Sequence, residues 1–157
     1  MKKFELTAEF VTNVFGKKLF RIKALVAFGN VEKGELGGFI EKEDNLSHGG
    51  NAWVCGNARV SGDAQVSGDA WVSGDAWVSG NADYAVVAGF GRYFRTTTFF
   101  RCKDKILRVQ CGCFYGDLAQ FREIVKKTHG DSKYAKEYLA IADLMELHFP
   151  DECGGEK

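Results

Sequence analysis

The sequence has little proline, no net charge and no long apolar run. It contains one proline in 157 residues, and its 21 basic and 21 acidic side chains cancel. The zero balance removes the simplest electrostatic argument for a nucleic-acid or membrane-surface protein. No segment approaches the roughly 18 apolar residues of a membrane span, and no signal-peptide core follows the amino terminus. The five cysteines are an odd number without a secretory signal, so we expect reduced thiols in a cytoplasm.

Glycine, in contrast, is abundant and regularly placed. The chain has 19 glycines, whereas disordered segments usually raise glycine and proline together. From Ala52 the chain reads AWVCGN, ARVSGD, AQVSGD, AWVSGD and AWVSGN, a period of six residues. Such self-similarity indicates a repeat architecture. Extending the period backward places Ile40 and Leu46 in the alanine position of the repeat and His48 in the valine position.

The repeat unit predicts a short strand followed by a corner. Alanine and valine lie two positions apart, so they point to the same side of a strand and both face inward. The following Gly-Asn or Gly-Asp pair permits a sharp bend. Three units, 18 residues, then make one coil of a triangular prism. The repeat contains no proline, because proline would remove hydrogen-bond donors between the coils.

This pattern resembles the hexapeptide-repeat, left-handed parallel β-helix proteins, in which an aliphatic residue precedes a small one by four positions. Val60 with Ala64 and Val66 with Ala70 fit that pattern. The resemblance implies a β-helix of about three coils over residues 28–84 and is nearly silent on function.

The flanking segments predict smaller elements around the β-helix. We expect a mainly β fold, a short left-handed parallel β-helix capped by β-hairpins and followed by two C-terminal α-helices. The predicted boundaries are 1–27 for an N-terminal capping hairpin, 28–84 for the β-helix, 85–116 for an exit strand and basic hairpin, 117–149 for the two-helix module and 150–157 for a loose tail.

The outward positions of the prism carry all three tryptophans. With 18 residues per coil, Trp53 lies under Trp71 and Arg59 lies under Trp77. One interpretation is that the C-terminal segment or a second subunit covers these rings. The other is that Trp53, Arg59, Trp71 and Trp77 form a surface for a foreign partner, because tryptophan and arginine are common interface anchors.

A second candidate binding surface is strongly basic. Segment 92–108 has six cations against the single acid Asp104, a net charge of 6 − 1 = +5. The cations are Arg92, Arg95, Arg101, Lys103, Lys105 and Arg108. The aromatic residues among them are Tyr93, Phe94, Phe99 and Phe100, a mixture typical of strands that stack bases and hold phosphates. The alternatives are a protein partner, a sister subunit, or a hairpin whose arginines are solvated and whose phenylalanines are core.

The sequence offers few catalytic or metal-binding patterns. Many hexapeptide β-helix proteins are acyltransferases with a histidine base, which makes His48 the candidate here, with a partly buried structural role as the other interpretation. Cys111 and Cys113 are too close for the usual zinc motif and lack a second pair. We therefore predict no catalytic residue, metal or cofactor. The alternatives are a degenerate acyltransferase that uses His48 and a self-assembling structural protein.

Several other stretches suggest a biological setting. They are Leu19–Leu25, Gly37–Ile40, Asn45–Ser47, Val109–Phe114 and Thr128–Asp131 with Tyr134 and Tyr138. They resemble uncharacterised hexapeptide-repeat proteins of phages and prophages in gut bacteria. The resemblance implies a genomic setting and not a reaction. A small, non-catalytic protein in that setting suggests an accessory role, and we expect a phage-encoded, anti-CRISPR-type inhibitor that binds a host macromolecular complex in the bacterial cytoplasm. We expect a homo-oligomer held together by the C-terminal helices.

Overall fold

The computed structural model describes residues 2–13, 15–80, 83–91, 95–111 and 114–149. Over these ranges the chain is mainly β with two C-terminal helices, which confirms that part of the predicted fold class. The strands are β1 (Phe4–Thr12), β2 (Lys18–Ala24), β3 (Leu36–Ile40), β4 (Trp53–Val54), β5 (Arg59–Val60), β6 (Trp71–Val72), β7 (Trp77–Val78), β8 (Tyr84–Phe90), β9 (Arg95–Arg101), β10 (Leu107–Cys111) and β11 (Phe114–Asp117), and the helices are α1 (Leu118–His129) and α2 (Lys133–His148). Neither of these helices is long and apolar enough to cross a membrane.

The short strands of the repeat pair in parallel with an offset of 18 residues. Trp53 pairs with Trp71 and Arg59 pairs with Trp77, as the period predicts. Backbone hydrogen bonds such as Ser61 N–H to the Val78 carbonyl continue the ladder between the strands. Three hexapeptide units therefore separate each residue from the neighbour that it contacts.

The inward positions of the repeat form a dry core. Every alanine from Ala52 to Ala76 and every valine from Val54 to Val78 is at most 1% exposed. Each fully buried valine contributes roughly 1.5–3 kcal/mol, and alanine leaves room for the opposite wall to approach. The glycine of the corner has a positive φ in most units; at Gly62 φ is +62° and an added Cβ would lie 2.2 Å from the Ser79 carbonyl oxygen. Glycine is thus required there by both conformation and space.

The earliest part of the repeat has a different register from the predicted one. Ile40 pairs with Val60 and Leu46 pairs with Val66, so both occupy the valine position and not the alanine position. These pairs are 20 residues apart because two additional residues lie between Leu46 and Ala52. Consequently His48 does not occupy the inward valine position that the extended period predicted.

An N-terminal hairpin extends the sheet of the repeat. β1 and β2 pair antiparallel, and β2 pairs with β3, which gives the strand order β1-β2-β3-β5-β7. The Asn13 side chain closes the turn by accepting hydrogen bonds from the backbone N–H groups of Phe15 and Lys17. This hairpin occupies the free edge of β3, which would otherwise present unpaired backbone groups.

The C-terminal half forms a second sheet with the helices packed against it. The antiparallel order is β11-β10-β9-β8, and α1 and α2 bury Phe121, Val125, Tyr138 and Met145 against it. Asp117 caps α1 in a capping box with Gln120, and Ser132 caps α2. Both caps satisfy free N–H groups at the helix starts.

The second sheet joins the repeat at its last strands, β6 and β7. Lys103 N–H donates to the Asp75 carbonyl at 2.9 Å, and Ala76 forms a bridge with Cys102. Trp71 N–H donates to the Thr98 hydroxyl at 3.1 Å. These bonds fix the start of the β9–β10 turn along the edge of the repeat, just before β7.

Candidate partner-binding cleft

A cleft of about 350 Å³ lies where the N-terminal hairpin, the repeat and the β9–β10 turn meet. The hairpin supplies one wall with Asn13 and Phe15. The outer side of β5 and β7 supplies the floor, and the β9–β10 turn supplies the opposite wall. The side chains around it are Asn13, Phe15, Leu19, Arg59, Ser61, Trp77, Val78, Ser79, Asp83, Arg101, Cys102, Lys103 and Lys105. Five of the residues predicted to bind a partner therefore line one cleft.

The centre of the cleft is an indole ring with two cations beside it. The Arg59 guanidinium carbon lies 5.0 Å from the Trp77 ring centroid, and Lys103 Nζ lies 6.0 Å from it. Both distances fit cation–π attraction, which holds the charged groups near the ring. No carboxylate of the described residues lies within ion-pair distance of Arg59 or Lys103. Within the described part of the chain, no ion pair neutralises either charge.

Unlike Arg59 and Lys103, Arg101 has a carboxylate of the described residues within ion-pair distance. Its Nε lies 3.8 Å from an Asp83 carboxylate oxygen, and its side chain is only 12% exposed. Its guanidinium also lies 5.5 Å from the Phe149 ring centroid. Asp83 in turn accepts hydrogen bonds from the N–H and hydroxyl of Ser79. Arg101 is therefore part of the cleft wall, where it anchors the second sheet to the repeat.

Phe15 was not predicted as a site residue. It lies at the tip of the N-terminal hairpin, 84% exposed, and lines the cleft opposite the basic turn. Exposure of a large aromatic ring costs hydration free energy and often marks a contact surface. The signal in the sequence was a phenylalanine directly before the turn glycine Gly16, where a hairpin has no core to bury it.

The structure corrects the prediction that Trp53 lies on the outer surface of the repeat. Its side chain is 0% exposed, because the Phe28 ring packs edge-on at 5.3 Å and the backbone at Gly37 lies against the indole. The loop before β3 therefore covers this side of the repeat. A partner cannot contact Trp53 in this fold. Trp71 pairs with Trp53 in the neighbouring strand, does not line the cleft, and forms a hydrogen bond from its indole to the Cys55 thiol.

Three basic residues that were predicted to bind a partner remain: Arg108, Arg92 and Arg95. Arg108 lies outside the cleft and donates two hydrogen bonds to the Asp104 carboxylate, at 3.1 and 3.0 Å. This pairing lowers the pKa of Asp104 and raises that of Arg108. Arg92 and the Arg95 side chain lie outside the described residues.

Of the aromatic residues in the basic segment, the two that the structure describes, Phe99 and Phe100, are not available to stack on bases. Phe99 and Phe100 are 0% exposed, so the interpretation of their rings as core is the right one. Strand alternation sends one ring to each side of the sheet, and both sides are covered. Tyr93 and Phe94 lie outside the described residues.

His48 has both ring nitrogens engaged. Nδ1 accepts the Lys3 backbone N–H at 3.0 Å, and Nε2 lies 2.7 Å from a Glu43 carboxylate oxygen. Its ring stacks on Phe4 at 4.2 Å. The hydrogen bond from His48 lowers the pKa of Glu43, with a further contribution from Lys2. These contacts tie the amino-terminal strand to the start of the repeat and leave no free lone pair on the imidazole.

The partly buried thiols lack the features of a nucleophile. Burial raises the pKa of Cys55 to about 11 and also raises that of Cys102. Reactive cysteines need the opposite shift, which exposes a thiolate near neutral pH. In the described part of the chain, no three His, Cys, Asp or Glu side chains are grouped to hold a metal ion.

Comparison with known families gives a match in the repeat. The YdcK beta solenoid repeat matches residues 52–68 and 64–80. Both segments lie in the stacked strands, and together they end just beyond β7. A comparison with curated proteins gives no match. The chain is therefore similar to a β-solenoid repeat family over residues 52–80.

Proposed function

We propose that this protein is a non-catalytic binding protein whose partner occupies the cleft around Trp77. The observation that supports the proposal is the meeting of two separate sequence signals. Arg59 and Trp77 come from the repeat, whereas Lys103 and Lys105 come from the basic turn, and all four line one cleft. Charged and aromatic side chains that converge in a concave site are typical of a binding surface.

The proposed frame for this surface is a short left-handed parallel β-helix of about three coils. The 18-residue offset between paired strands and the buried alanine and valine positions support it. The N-terminal hairpin lies at one end of the stacked strands, and β9 contacts the other end. Ends covered in this way oppose end-to-end polymerisation, so a self-assembling fibre is the weaker candidate.

The alternative of an acyltransferase receives no support from the geometry of His48. A general base needs a free lone pair that points toward the substrate. Nδ1 of His48 is already bonded to Lys3 N–H, and Nε2 is bonded to Glu43. A titration with acetyl-CoA by calorimetry tests this directly: we expect no heat, and measurable heat would favour the enzyme.

The biological setting that we propose is counter-defence in an infected bacterium. The protein would bind a host macromolecular complex of the CRISPR type and block it. The test is expression in cells with active CRISPR immunity, followed by infection with a targeted phage. We expect the wild-type chain to restore plaques and R59E/K103E to fail, while the matched control K33E/K136E, which reverses two exposed lysines elsewhere, still restores them. Equal plaque counts for the two double variants, or no restoration by the wild-type chain, would contradict the proposal.

We further propose a homo-oligomer through α2. Leu144 and Leu147 are 55% and 79% exposed and lie one turn apart on this helix, so they form an apolar patch that a second copy of the chain can cover. Light scattering of the full chain is expected to give a discrete oligomer, and L147E is expected to give a monomer. A wild-type monomer would contradict this part.

A further inference from the structure

We infer that the cleft binds single-stranded nucleic acid, with a base against Trp77 and the adjoining phosphates at Arg59 and Lys103. This inference rests on the proposed function, since it names the chemistry of the partner in the same cleft. The sequence pointed to the basic segment 92–108 and its four aromatic residues. The structure buries Phe99 and Phe100, and Tyr93 and Phe94 lie outside the described residues, so the inference rests on Trp77.

The first argument for a nucleic-acid ligand is the positive charge around the Trp77 indole. Arg59 and Lys103 both lie within 6.0 Å of the Trp77 ring centroid, and neither has a carboxylate partner among the described residues. Lys105 adds a cation at the rim. Among the described residues, the one carboxylate that lines the cleft is that of Asp83, at 3.8 Å from Arg101. The chain as a whole is neutral, so this local excess of positive charge selects an anionic ligand at one place.

The aromatic rings give the second step. Trp77 lies on the floor of the cleft, and the exposed Phe15 lies on a wall. Flat rings beside cations suit a ligand that alternates a planar base with a phosphate, because bases stack on aromatic side chains and phosphates pair with lysine and arginine. An acidic peptide supplies the negative charge but not the planar groups, so the rings favour nucleic acid.

The size of the cleft gives the third step. A volume of about 350 Å³ is near the lower end of the range for small-molecule sites, so it suits one or two nucleotide units. Its walls also restrict access from the sides. A single strand can turn a base into such a space, whereas the bases of a duplex are already stacked and paired. The cleft therefore favours an unpaired strand.

Fluorescence anisotropy with a labelled ten-nucleotide oligothymidylate and oligouridylate tests the inference. For binding to the full chain we expect a dissociation constant of roughly 1–100 µM. If three phosphates are neutralised, raising the salt from 50 to 200 mM should weaken binding roughly tenfold to twentyfold. W77A is expected to weaken binding about tenfold and F15A to weaken it several-fold, through lost stacking. R59E/K103E should also flatten the salt dependence, whereas K33E/K136E should behave as wild type.

Three comparison ligands decide between the possible sources of the anion. A duplex of the same length, polyglutamate and thymidine monophosphate should each bind more weakly than the single strand. Equal or tighter binding of any of them would overturn the inference in favour of a duplex, an acidic protein or a free nucleotide. W77F, with a melting curve for each variant, separates lost stacking from lost folding, because a planar ring at this position should retain most of the affinity.

The outcomes also separate this inference from the function on which it rests. If no oligonucleotide binds but R59E/K103E still loses plaque restoration, the cleft binds a protein and only the nucleic-acid inference fails. If neither measurement responds to the cleft variants, both fail.

Discussion

Phe99 and Phe100 are consecutive residues of β9, and their rings belong to different hydrophobic cores. Phe100 packs with the alanines and valines of the repeat, whereas Phe99 packs with α1 and α2 and meets the Phe121 ring edge-on at 6.0 Å. Both side chains are 0% exposed. β9 is thus a shared wall between the repeat and the helical module, and the cleft lies beside that wall.

Replacing each ring by alanine should therefore loosen a different part of the molecule. We expect F99A and F100A each to lower the free energy of unfolding by about 3–5 kcal/mol, because both leave a large cavity. Hydrogen exchange followed by mass spectrometry should show faster exchange in α1 and α2 for F99A and in the β5–β7 segment for F100A. Identical exchange patterns for the two variants would contradict the division into two cores.

The repeat was predictable because its information is local. Each unit carries its own inward alanine and valine and its own corner glycine, so the 18-residue pairing of Trp53 with Trp71 follows from the period alone. The register of Ile40 and Leu46 was not predictable in this way. Two additional residues before Ala52 shift it, and only the pairing between strands reveals the shift.

The cleft was only partly predictable for a related reason. The stacking of Arg59 on Trp77 follows from the period, but the approach of Lys103 depends on a backbone bond to Asp75, 28 residues earlier in the chain. No local pattern encodes that contact. Trp53 failed as a predicted surface residue for the same reason, since the loop that covers it comes from outside the regular repeat.

Gly62 and Gly68 form a matched pair for testing the corner geometry. Both have a positive φ, +62° and +66°, but only at Gly62 would a Cβ meet the backbone of the next coil. We expect G68A to cost about 1 kcal/mol for its backbone conformation. G62A should cost at least about twice as much, because it must also move the Ser79 carbonyl apart from the corner. Urea unfolding gives both values, and equal losses would contradict the close contact between these coils.

His48 is expected to stabilise the amino-terminal strand. H48A removes the acceptor for Lys3 N–H, the bond to Glu43 and the stacking on Phe4. We predict a loss of roughly 1–3 kcal/mol and faster hydrogen exchange in β1. H48N, which can retain an acceptor near the Nδ1 position, should recover part of the loss. Unchanged stability in H48A would leave the histidine without this structural role.

The raised pKa of Cys55 predicts that the stability of the fold falls at alkaline pH. Burial raises its pKa to about 11 from an ordinary 9.0, while the hydrogen bond from the Trp71 indole opposes the rise. Between these two values the unfolded chain loses the thiol proton and the folded chain keeps it. The stability that this thiol contributes is therefore fully present below pH 9.0 and is lost as the pH rises toward about 11. The loss should reach about 1 kcal/mol per pH unit, since the thiol keeps some contact with solvent.

Comparison of C55A with the wild-type chain isolates this contribution from every other group that titrates in the same range. Urea unfolding at pH 8, 9, 10 and 11 should give two stability curves that are parallel up to pH 9 and converge above it, because only the wild-type chain loses the thiol contribution. Iodoacetamide labelling of the folded wild-type chain, followed by mass spectrometry, should modify Cys55 slowly at pH 8 and faster above pH 10. Curves that stay parallel to pH 11, with rapid labelling at pH 8, would mean that the fold does not shield this thiol.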